Sequence, residues 1–198
     1  SQVALQISKK LAIELKNQWG IEAYLTRTEN QTLDLEDRNQ ISNRKKADLF
    51  LSIHANANPS PKLAGVQTFY LNNASNEASR RLAARENKVA KKRLGLSDRI
   101  LQTMLQNANT EESRDLAQAV QNSLIATLQP KYKGVQSHGV DTALFYVLVG
   151  AQCPSILIET SFITNPTEEK RLRNSVYQWT LAKGIAKGVG EYITLRQK

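Results

Sequence analysis

The chain has 198 residues, 40% of them apolar and 23% charged, which suits one domain with one sizeable core. Its 27 Lys and Arg against 18 Asp and Glu give a formal charge of +9, favouring an anionic partner, while 6% aromatics without basic–aromatic alternation argue against nucleic acid. No run reaches the roughly 18 apolar residues that span a membrane, and a single cysteine, Cys153, excludes an internal disulfide.

The elements follow from periodicity. In residues 2–18, Val3, Ile7, Leu11 and Leu15 recur every four positions, which predicts a helix stopped by Gly20. Residues 21–27, IEAYLTR, alternate Ile21, Ala23 and Leu25 and read as a strand. Residues 33–47 read as a helix, with acids in its first turn and Arg44, Lys45 and Lys46 in its last, matching the helix dipole. DLFLSIH (48–54) is a strand whose continuous apolar run predicts a central position covered on both faces. After a loop with Pro59, Pro61 and Gly65 comes the strand VQTFYLN (66–72).

From about 75 to 128 the chain turns polar and helical. Ser75 and Asn76 can cap a helix containing EASRRLAARENKVAKKRL, interrupted by Gly95; residues 97–108 make a short amphipathic helix, and 110–128 a third with a Thr cap. ALFYVLVG (143–150) and PSILIET (154–160) are two more strands. Asn165 and Pro166 start a helix, and residues 176–193 form the last one. Strands alternating with helices predict an α/β class. The expectation is a single domain with a twisted, mostly parallel sheet, helices on both faces, and a helical insert at about 75–110.

In such sheets ligands gather beyond the carboxyl ends of strands. Three strands end in polar residues there: Thr26 and Arg27, His54 to Asn56, and Glu159 with Thr160. A carboxylate closing the run Ile156, Leu157, Ile158 loses hydration, so Glu159 needs a partner or carries a raised pKa. A raised pKa suits a general base, and a neutral imidazole at a strand tip, as at His54, suits zinc. Pairing of Glu159 with Arg27 or Arg38, or capping of the following helix, is the structural alternative. Cys153, set against a strand with no base nearby, reads as a buried structural thiol.

The strings ADLFLSIHANA, GVDTALFYVL and PSILIETSFITNPTEEKRL, with LTRTEN and DRNQISNRKKAD, resemble the zinc-dependent N-acetylmuramoyl-L-alanine amidases of bacterial cell-wall remodelling over nearly the whole chain. The resemblance implies a peptidoglycan hydrolase that cuts the amide between N-acetylmuramic acid and the L-alanine of the stem peptide. It implies His54 as a Zn2+ ligand, zinc-bound water as nucleophile, and Glu159 as the catalytic base that later protonates the leaving nitrogen. Arg27, Arg38 and Asn56 are candidate substrate contacts. The family setting implies a periplasmic or cell-envelope location, a monomer, and peptidoglycan as the anionic partner.

The family's zinc site uses His, Glu and His, its first histidine in a DPGHGG-like string, and this chain has neither that string nor the following glutamate. His138, the other histidine, matches no ligand motif. Two explanations stand: an upstream segment of roughly 30 or more residues carries the first strand and two ligands, or the protein is a metal-free relative that binds peptidoglycan without cutting it. LAARENK, in the insert, resembles a helix that covers the site in cell-division members, which implies Glu86 as a zinc-blocking residue and an activator protein acting on the insert. The alternative leaves Glu86 as one solvated charge among Arg80, Arg81, Arg85 and Lys88. Met104 and Leu105 are candidates for an activator patch. A zinc carboxypeptidase, with Arg27 or Arg38 holding a substrate carboxylate, is the remaining enzymatic reading.

Overall fold

A computed structural model describes residues 2–87 and 109–196. Helix α1 (Gln2–Trp19) buries Ile7, Leu11 and Leu15 on the predicted stripe. It stops at Gly20, whose φ of 66° lets its N–H reach Lys16 O while the Ile21 N–H reaches Leu15 O. Then follow α2 (Leu35–Arg44), β1 (Phe50–Asn56), β2 (Val66–Leu71), α3 (Glu77–Asn87), α4 (Thr110–Leu128), β3 (Ser137–Ala143), a 3-10 turn (Tyr146–Leu148), β4 (Ser155–Phe162), α5 (Pro166–Leu172) and α6 (Ser175–Arg196).

Among the described residues the sheet has four strands in the order β1-β4-β2-β3. β1 runs parallel to β4 and β2 parallel to β3, while β2 and β4 are antiparallel. β4 alternates sides. Ile156 and Ile158 join the larger core, formed with α1, α4 and α6, whereas Leu157 joins Phe50, Phe69, Leu82 and Ala83 in a second core beneath α3. The two larger helices of the first core approach closely: a Cβ at Gly188 of α6 would lie 2.5 Å from Val120 Cα of α4.

Three expectations need correction. Residues 21–27 form no strand, although they alternate, because among the described residues no neighbouring strand pairs with them. Among the described residues β1 is an edge rather than a central strand, paired with β4 alone. Its apolar run reflects cover on both faces, which carries no information about lateral neighbours. Residues 143–150 are not a strand either, since only Ala143 belongs to one and Tyr146–Leu148 make a 3-10 turn. Phe145, Val147 and Leu148 are apolar because they fill the core under α3, and a short apolar run does not distinguish a strand from a buried turn. The strand itself, SHGVDTA, is polar and starts exposed, as an edge strand does.

The free side of β1 opens on a groove of about 890 Å³ lined by α1, residues 21–27, α2, residues 49–53 and α6. The predicted helix over 97–108 and the patch at Met104 and Leu105 lie outside the described residues.

Candidate active site

Parallel pairing places His54 of β1 beside Glu159 of β4, and Glu159 is also beside Gln67 of β2. Lateral partners share a face of the sheet, here the face that α3 covers. The register slips between His54 and Asn56, where Asn56 pairs with Phe162. Such bulges re-aim side chains at the ends of sheets.

The His54 ring is engaged at both nitrogens: Nε2 lies 3.1 Å from Ser52 Oγ, and Nδ1 lies 3.1 Å from Oε2 of Glu86. Glu86 arrives from the last turn of α3, a helix fixed at both ends. At its start Asp141 of β3 accepts from Asn76 Nδ2 at 2.7 Å and Ser79 Oγ at 2.5 Å, and Asn76 Oδ1 accepts from the Ser79 N–H. At its end Asn87 donates to Leu144 O and accepts from the Tyr146 N–H. Asn76 therefore caps α3 as expected, and Glu86 is no solvated surface charge. Arg80 and Arg81 instead pair with Glu77.

Glu159 is 1% exposed, and neither carboxylate oxygen has a hydrogen-bond partner among the described residues. Burial pushes its pKa up to about 7, an effect that His54 opposes, Glu86 reinforces and Arg85 opposes. It neither pairs with Arg27 or Arg38 nor caps the helix behind it. That cap belongs to Asn165, whose Oδ1 accepts from the N–H groups of Thr167 and Glu168 with Pro166 following. Burial also works against ionisation of Glu86, but its bond to His54 and the charges of His54 and Arg85 hold it below its ordinary value.

One potential ligand atom each of His54, Glu86 and Glu159 lies within 4.8 Å of the others, a grouping able to hold a metal ion. Orphaned carboxylate oxygens beside an imidazole are an N/O donor set that a cation would satisfy. The remaining candidates lie elsewhere or act differently. Arg27 and Arg38 line the groove on the free side of β1; Arg27 donates to Gln31 O and Arg38 to Leu33 O. Asn56 is buried and accepts from Arg85, a residue that sequence reading did not single out. His138 donates from Nε2 to Ala64 O and meets the edge of Phe162, outside the cluster.

A family profile described as N-acetylmuramoyl-L-alanine amidase matches residues 1–191. The chain belongs to that family. It is 36% identical over 195 residues to N-acetylmuramoyl-L-alanine amidase AmiA of Escherichia coli (strain K12), an alignment covering 96% of this chain and 67% of AmiA. The crystal structure of N-acetylmuramoyl-L-alanine amidase from Clostridium difficile 630 superposes with a TM-score of 0.71 at 31% identity, covering 98% of this chain and 83% of that one. The CwlD amidase from Clostridioides difficile, solved in complex with the GerS lipoprotein, shares the fold at TM-score 0.71 and 22% identity, with 98% and 86% covered. The α/β class and the peptidoglycan amidase function expected from the sequence are those of the family. Among the described residues no helix is long and apolar enough to cross a membrane.

Proposed function

We propose that His54 and Glu159 are the reacting centre of this amidase, with Zn2+ as its metal, and that Glu86 covers that centre. The observation that carries this is the pair of buried, unpartnered Glu159 oxygens beside His54. His54 would hold the ion, with Glu86 as the blocking ligand; a bound zinc supplies a lowered water pKa and polarises the scissile carbonyl. Glu159, raised by burial, takes a proton from water at a carboxylate oxygen and returns it to the departing L-alanine nitrogen. In this reading residues 1–198 are amidase catalytic domain and 75–110 its autoinhibitory insert.

Peptidoglycan is the substrate and accords with the +9 charge. Arg27 and Arg38 are further substrate contacts at the groove. An activator protein that displaces α3 is the expected partner, and the periplasm or cell envelope the expected location. Digestion of purified peptidoglycan tests the reading. Free stem peptides beginning with L-alanine support it; single amino acids would mean a carboxypeptidase, and bound but uncut wall a binding module.

A further inference from the structure

Arg85 stands next to Glu86 in sequence, yet its side chain reaches across to the tip of β1. Its Nη1 donates to Ala57 O, its Nη2 to Asn56 Oδ1 at 3.0 Å, and its Nε to Glu86 Oε1 at 3.3 Å. Nη2 also lies 3.4 Å from that same Glu86 oxygen. The anchors are firm. Asn56 is buried, and its carbonyl accepts from the Ile163 N–H at 2.7 Å. Glu86 is thereby held at both oxygens, Oε1 by Arg85 and Oε2 by His54. The other two arginines of α3 face away and engage Glu77.

We infer that Arg85 is a positioning residue: its guanidinium, fastened to Asn56 and Ala57, fixes the Glu86 carboxylate against His54 and so keeps the site covered. The inference rests on the reading of Glu86 as the cover. The physical reason is geometric. The ends of α3, tied at Asp141 and Asn87, fix where the helix lies but leave the Glu86 side chain its own rotamers. A planar fork with several donors can bridge two strand-tip acceptors and one carboxylate oxygen at once, which a lysine ammonium on its flexible stem does poorly. Without Arg85, the partly buried Glu86 carboxylate is free to turn to water and uncover the Nδ1 of His54.

Modification of the full chain by diethyl pyrocarbonate, read residue by residue by mass spectrometry, tests this, because exposed His138 serves as an internal reference. Arg85→Ala should raise the His54-to-His138 rate ratio about tenfold, as loss of charge-assisted bonds allows; Arg85→Lys should raise it less. In a Glu86→Ala background, where the ratio is already high, Arg85→Ala should add nothing. An unchanged ratio in Arg85→Ala, with Glu86→Ala raising it, overturns the role of Arg85 and leaves the cover standing. An unchanged ratio in Glu86→Ala overturns the cover itself. A further rise on combining the two substitutions means that Arg85 shields His54 directly, which also overturns the inference.

Discussion

His54 and Glu159 are lateral partners on neighbouring parallel strands, so an imidazole and an unpartnered buried carboxylate share one face of the sheet. Burial of an acid without hydrogen bonds is costly to the fold. Its persistence inside β4, beside a histidine and under a helix that brings a second carboxylate, fits a site built for chemistry rather than for stability.

Glu159 couples stability to pH. Its folded pKa, about 7, lies above the ordinary 4.5, so the protonated carboxyl stabilises the fold fully below 4.5 and this contribution disappears as pH rises through about 7. With a chelator present, the unfolding free energy of the native chain should fall relative to Glu159→Gln by on the order of 3 kcal/mol across that range. Denaturant titrations at several pH values measure the difference, and a pH-independent difference speaks against the burial account.

Metal binding should stabilise the folded chain through His54. Zinc at a hundredfold excess over its Kd adds about 2.7 kcal/mol, visible as a rise in Tm. His54→Ala should abolish the rise, whereas His138→Ala, outside the cluster, should leave it intact.

Releasing the cover should raise activity. Glu86→Ala is expected to increase basal hydrolysis of cell wall by the full-length gene product, measured by dye release. Unchanged basal hydrolysis would remove Glu86 from regulation.

The packing of α4 on α6 makes a prediction remote from the site. Gly188→Ala would press a methyl within 2.5 Å of Val120 Cα, so one helix must shift. A loss of about 2 kcal/mol is expected in thermal unfolding.

Much of this was legible in the residues themselves. Asn165 before Pro166, and Gly20 after an apolar stripe, act locally: the first starts α5 and the second ends α1 where expected. His54 and Glu159 were conspicuous because polar groups ended apolar runs. What the chain concealed depends on lateral neighbours or distant contacts. Nothing in DLFLSIH tells an edge from a centre, and nothing in SHGVDTA announces a strand. Arg85 looked like one charge in a basic helix because its meaning lies in Asn56, 29 positions away.

The most direct test pairs zinc titration with peptidoglycan turnover in Glu159→Gln of the full-length gene product. If Glu159 is the base and His54 the ligand, this variant still binds zinc while release of stem peptides falls by at least about a hundredfold. Turnover close to that of the native protein, with zinc bound, would contradict the assignment of Glu159 and with it the central claim.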